Sequence, residues 1–166
     1  MRSFSSHYDY ATEPAEVVRL WCDPEFLTAV GRKFGGVGEP EVDHVGTEVH
    51  VVTRRRLPLD KIPSFARRFI ADGTLRQTDV WPAEPDGGAP VQGAWTVEGK
   101  MPATMSGTQS VEPTSSGCRV GVQGTVDVSA PLVAGKIEDL ISKEIVKLIG
   151  VQQEFAARWL AGERSA

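Results

Sequence analysis

Up to Ser129 the apolar positions mostly recur every second residue, and after Pro131 they recur every third or fourth. The first spacing is that of strands with one buried face, the second that of a helix. Residues 3–10 set Phe4, Ser6, Tyr8 and Tyr10 against Ser3, Ser5, His7 and Asp9, which predicts a first strand. Residues 41–56 predict a hairpin. Its second strand puts Val45, Thr47, Val49, Val51 and Thr53 on one face and His44, Glu48, His50 and Arg54 on the other. Four more strands follow at roughly 74–81, 91–99, 104–112 and 117–129, separated by turn residues such as Asp86-Gly87-Gly88 and Ser115-Ser116-Gly117. Strand 74–81 is ambiguous, because Leu75 and Trp81 share a face with Gln77 and Asp79.

Two short helices fall between the first strand and the hairpin. Thr12 before Glu13-Pro14 predicts an N-cap, and the helix carries Val17, Val18, Leu20 and Trp21. Asp23-Pro24 restarts a second helix from Glu25 to Val30, and Gly31, Gly35, Gly36 and Gly38 end the helical region. Residues 57–73 interrupt the sheet with Leu57, Leu59, Ile62, Phe65, Phe69 and Ile70, and predict a loop plus a short helix from Ser64 to Ala71, capped by Ser64. This apolar insertion reads as a lid over a pocket or as a plug in the core.

Pro131 to Leu160 predicts one long amphipathic helix, ~40 Å at ~1.5 Å per residue. At ~100° per residue Ile137, Leu140, Ile141, Leu148, Val151, Phe155 and Trp159 form one stripe, with Ile145 at its edge. Glu144 falls in the middle of that stripe. A carboxylate there is paired, protonated, or turned toward a wet cavity. The plainer alternative is a structural salt bridge, or a side chain reaching past the sheet edge.

Composition narrows the function classes. The chain has 166 residues, 40% apolar and 24% charged, which suits one soluble domain spanning 1–166. A net charge of −4 with both signs mixed argues against a nucleic-acid footprint. The Arg54-Arg55-Arg56 and Arg67-Arg68 runs read as a solvated strand end and a helix face. Cys22 and Cys118 have no metal-ligand spacing and predict reduced thiols in a cytoplasmic protein. No signal peptide is expected, and no apolar run approaches the ~20 residues of a membrane span. His44 and His50 lie ~20 Å apart along a strand, so they cannot share a metal ion. The Gly31–Gly38 stretch lacks the Gly-Lys-Ser/Thr ending of a phosphate loop and follows a helix, so it reads as a turn.

The predicted inner faces hold Gly93, Gly99 and Gly107 beside Trp95, Met105 and Gln109. Small residues there predict a cavity between sheet and helix, or else bulges where a curved sheet bends. Gln109 needs a polar partner in either case.

This α+β order is strand, two short helices, antiparallel strands and a long last helix, with about six to seven strands curving round that helix. It resembles the helix-grip (SRPBCC) fold of START-like domains, polyketide cyclases and birch-pollen-allergen-like proteins. More closely, the chain resembles an uncharacterised, largely bacterial family of that superfamily. The residues carrying this are Val128-Ser129-Ala130-Pro131-Leu132-Val133-Ala134-Gly135-Lys136-Ile137-Glu138, with Phe34-Gly35-Gly36, Arg67-Arg68-Phe69 and Gln77-Thr78-Asp79-Val80-Trp81. The resemblance implies fold rather than chemistry, and offers no catalytic residues.

The expected function is a non-enzymatic binder or carrier of a small hydrophobic molecule (a lipid, polyketide or other aromatic). Its expected ligand-binding residues are Trp95, Met105, Gln109, Ile141, Glu144 and Leu148, with Phe65 and Phe69 as a gate. No cofactor, metal or nucleic-acid partner and no stable membrane insertion are expected, and the oligomeric state stays open. The alternative is a cyclase- or hydrolase-type enzyme using Glu144 or Asp79 as acid or base, while His7, His44 and His50 face outward. A third reading is an interaction module, since some helix-grip relatives are co-chaperones. An exposed apolar patch near 57–71 would favour it.

Overall fold

Neighbours in sequence pair in space, except that the first strand joins the last. A computed structural model describes residues 1–164. The strands are β1 (Arg2–Tyr10), β2 (Glu41–Val45), β3 (Glu48–Arg56), β4 (Thr74–Pro82), β5 (Val91–Gly99), β6 (Ala103–Thr114) and β7 (Gly117–Val128). They form one curved antiparallel sheet in the order β1-β7-β6-β5-β4-β3-β2. The helices are α1 (Pro14–Trp21), α2 (Pro24–Phe34), α3 (Ser64–Arg67) and α4 (Ala134–Leu160).

The ends of the short helices differ in part from their local signals. Thr12 does not cap α1: the N-cap position is Glu13, without a side-chain hydrogen bond, and the Thr12 hydroxyl is buried without a partner among the described residues. Pro14 opens the helix because its missing N–H has no intrahelical partner there. Asp23 does cap α2, accepting from the Glu25 N–H at 3.0 Å. Gly31 stays inside α2, and Gly35, at φ 80°, ends it in a conformation that glycine adopts without strain. In the insertion, a 3-10 turn over Leu59–Lys61 precedes α3, which is shorter than expected and not capped by Ser64.

The core lies between the sheet's inner face and the helices. Phe26 of α2 sits 5.0 Å from Trp21, 5.9 Å from Phe155 and 5.6 Å from Trp159, ring centre to ring centre. This aromatic cluster ties α2 to the C-terminal half of α4, while α4 otherwise packs on β1 and β7.

The buried face of α4 is rotated by about 80° from the stripe that hydrophobicity alone selects. Glu138, Ser142 and Gln153 are buried, whereas Val151 is 42% exposed and Glu144 is exposed. Two of these polar residues have specific partners. Glu138 Oε1 accepts from the Met1 amine at 2.9 Å and from the Val128 N–H at 3.1 Å, which holds its carboxyl below the usual range. The Tyr10 hydroxyl donates to the Gln153 side-chain oxygen. Burial in turn pushes the Tyr10 phenol up, so it stays a donor. Replacing Tyr10 with phenylalanine should cost about 1–2 kcal/mol by leaving the Gln153 amide unpaired. Urea unfolding measures this, and an unchanged midpoint would remove the bond from the account.

Candidate functional site

Strand parity decides which side chains share the inner face. From β3, Thr53 and Arg55 follow Val49 and Val51 inward, and from β4, Gln77 and Asp79 lie between Leu75 and Trp81. Leu75 and Trp81 are buried, which resolves the ambiguity of that strand. Val51 pairs with Asp79 in register, and Asp79 with Trp95 of β5.

Asp79 is the centre of this face. Gln77 Nε2 donates to its Oδ2 at 2.9 Å, and Gln109 Nε2 from β6 donates to its Oδ1 at 3.1 Å. The residue is half-buried, but its carboxyl is enclosed by neighbouring atoms. Loss of water pushes its pKa up to about 6 against the opposing pull of the two amides and the Arg55 charge. Arg55 is half-buried, and burial presses its guanidinium pKa downward. Among the described residues its guanidinium has no hydrogen-bond or ion-pair partner, and Asp79 acts on it only through space. The indole N–H of the buried Trp95 is also without a partner among the described residues. A carboxyl titrating near pH 6, with an unpaired guanidinium in electrostatic reach, gives this face an acceptor and a charged donor.

Two other groups can be set aside as nucleophiles. Burial raises the Cys22 thiol to about 12 and the Cys118 thiol to about 11, so both are neutral. Among the described residues, no group of three or more His, Cys, Asp or Glu could hold a metal ion.

The expected ligand-binding residues divide. Trp95 and Met105 are buried, and Phe65, Phe69 and Ile141 are half-buried against the same core cluster. Leu148 is half-buried. Gln109 finds its polar partner in Asp79. Glu144 is a correction: it is exposed, because the buried face of α4 turns away from it.

The glycines also differ from the cavity expectation. A Cβ on Gly93 would lie 2.7 Å from the Trp81 ring, and one on Gly124 would overlap the Trp95 ring. One on Gly99 would meet Leu75 at 2.8 Å. These positions are seats for large side chains, not open space. Two cavities lie elsewhere. One of about 170 Å³ is lined by residues including Cys22, His44, Val49 and Pro82, and one of about 160 Å³ by residues including Leu27, Arg32, Thr53 and Arg54. Neither is lined by any of the eight expected residues.

Arg55 and Gln77 are site residues that sequence reasoning misses. The signal is present: Arg55 has the same parity as Val49, Val51 and Thr53. Its place in a run of three arginines hides it.

The sheet order, the paired helices after β1 and the long last helix define the helix-grip fold. Solved structures agree. TTHA0849 from Thermus thermophilus matches with a TM-score of 0.65 at 14% identity, covering 99% of this chain and all of that one. The Zhui aromatase/cyclase from Streptomyces sp. R1128 matches with a TM-score of 0.59 at 14% identity, covering 98% and 94%. The di-domain aromatase/cyclase StfQ of steffimycin biosynthesis matches over 96% of this chain and 51% of its own, with a TM-score of 0.64 at 11% identity. The chain belongs to the family described as "Protein of unknown function (DUF2505)", matched over residues 5–160. The uncharacterized protein Rv0481c of Mycobacterium tuberculosis (strain ATCC 25618 / H37Rv) is 25% identical over 169 residues, covering 96% of this chain and 97% of the relative. The uncharacterized protein Mb0491c of Mycobacterium bovis matches to the same extent.

Proposed function

We propose that this protein binds a small hydrophobic molecule bearing an oxygen-rich end, on the inner face of the sheet. The observation that carries the reading is the Asp79–Gln77–Gln109 cluster with Arg55 free beside it. Half-buried Phe65, Phe69 and Ile141 offer apolar contact for the rest of the ligand. The likeness to aromatase/cyclases supports a fold suited to such ligands. The reading includes a cytoplasmic setting, which two neutral, unpaired thiols suit.

The first test is native mass spectrometry of gently purified protein, with solvent extraction of any bound molecule. Arg55→Met should weaken binding of the extracted ligand about 10-fold or more, the worth of one charge-assisted hydrogen bond. Equal affinity of variant and wild type would remove Arg55 from the site. A second reading, an enzyme using the same face, is favoured by one observation: the Asp79 pKa of about 6 suits an acid or base near neutral pH. Asp79→Asn should abolish turnover under that reading and only shift affinity under the first.

A further inference from the structure

Leu132 is the most exposed large apolar residue of the chain, at 106%, and has a left-handed backbone with φ 67°. Nothing in the core rewards this. A leucine held there carries backbone strain, and its exposed side chain recovers none of it.

The surroundings of Leu132 point to what it meets. It lies in the loop from β7 to α4, at the same end of the sheet as the 57–73 insertion. Hydrogen bonds connect the two: Ala71 N–H donates to the Lys100 carbonyl at 3.2 Å, and Ser129 N–H to the Pro102 carbonyl at 2.8 Å. Six exposed cations lie on this end, Arg56, Lys61, Arg67, Arg68, Lys100 and Lys136, against the exposed anions Asp60 and Asp72, while the exposed Glu98 and Asp127 of the same end are paired with Arg76 and the Met1 amine. The chain as a whole carries −4, so the excess of cations here is a polarity of the molecule and not its average. Lys100 pairs with Asp72 at 3.9 Å. The other five cations have no ion-pair partner among the described residues. Arg67 is spent on the Ile62 carbonyl at 2.8 Å, which fixes the insertion's shape.

We propose that this end docks on an anionic lipid surface, with Leu132 entering the boundary of the acyl chains and Arg56, Lys61, Arg68 and Lys136 meeting the headgroups. Cations on the same end of the fold as an exposed apolar side chain are what such an interface selects: charge draws the protein to the surface, and apolar burial holds it there. An acidic protein or a nucleic acid would use the cations but leave Leu132 in water. The contact is peripheral, since no helix among the described residues is long and apolar enough to cross a membrane. It also goes beyond the ligand reading, because docking by this end needs no occupant on the inner face.

The test is co-sedimentation of the full chain with vesicles of phosphatidylcholine containing about 30 mol% phosphatidylglycerol, against phosphatidylcholine alone. Wild type should bind the anionic vesicles at least about tenfold more tightly, and lose most of that between ~0.1 and ~0.5 M NaCl. Lys61→Glu with Lys136→Glu should abolish binding; neither residue has an ion-pair partner to lose among the described residues. Leu132→Gly should weaken binding about tenfold, the worth of burying most of one leucine, while the melting temperature stays level or rises because glycine accepts the left-handed backbone. Equal binding to both vesicle types overturns the proposal. So does undiminished binding by Leu132→Gly, which would leave a purely electrostatic patch of the kind an acidic protein or nucleic acid fits.

Discussion

Gly107→Ala is expected to lower the unfolding free energy by about 3 kcal/mol. A Cβ at Gly107 would overlap the Gln123 carbonyl oxygen and lie 2.6 Å from the Gly124 Cα. Both are backbone atoms of β7, which is paired along its length with β6 and β1. No rotamer change relieves such a contact, so the strands must part. In a chain of this size the loss corresponds to a melting temperature lower by about 10 °C. Gly135→Ala is the matched control, because nothing lies within 4 Å of its Cβ position and alanine favours helix. Urea unfolding of both variants decides the matter. A Gly107→Ala midpoint at or above that of Gly135→Ala would mean that β6 and β7 do not approach this closely.

Asp79→Asn should stabilise the protein above pH 6 by up to about 3 kcal/mol, and by almost nothing near pH 4. The sign follows from burial. The folded-state pKa is raised to about 6 from the ordinary 3.8, so the folded protein holds a proton that the unfolded chain releases. This group's contribution is therefore complete below pH ~4, falls as pH rises through the ~4–6 window, and is flat above it. Other carboxyls work in the opposite direction. Asp9, Asp72, Glu138 and Asp139 are all held below their usual range by partners, and their contributions are lost in acid. The wild-type profile mixes both trends, so the wild-type-minus-variant difference across pH 4 to 8 is the measurement. Both amides can turn to meet an asparagine oxygen and nitrogen, which keeps the cluster bonded. A difference that does not change with pH would show that Asp79 is not buried as a charge. A stabilising substitution at a buried carboxyl would also mark Asp79 as a residue kept for something other than stability.

The edges of the elements were legible because turn residues and strand alternation are local properties. Val91–Gly99 stands where periodicity puts it, whereas the hairpin turns at Gly46-Thr47, inside the stretch that alternation assigns to its second strand, so that His44 and Val45 close β2 instead. The long helix was legible as a helix, but its orientation was not. Glu138 and Gln153 fall outside the apolar stripe, yet each is buried because a particular partner, the Met1 amine or the Tyr10 hydroxyl, waits on the sheet. Those partners stand 137 and 143 residues away in sequence, beyond the reach of any window. Glu144 lost its place in the expected site for the same reason.

The inner-face glycines carry a similar lesson. Read alone, Gly93 and Gly107 leave space; in the folded sheet, the ring of Trp81 and the backbone of β7 take it. Gln109 needed a polar partner on chemical grounds, but only the β4–β5–β6 pairing brings Asp79 to it from 30 positions away.

By itself the sequence determined the element order and the curved antiparallel sheet with its closing helix, because each rests on the chirality and periodicity of short segments; which face of β4 carries Asp79 inward, and that Arg55 of β3 shares that side of the sheet, took the structure. Only the tertiary structure decided the rotation of α4, the filling of the glycine positions, and the meeting of Asp79 with Gln77 and Gln109. These depend on which distant surfaces come into contact, and burial then sets the charge of Asp79.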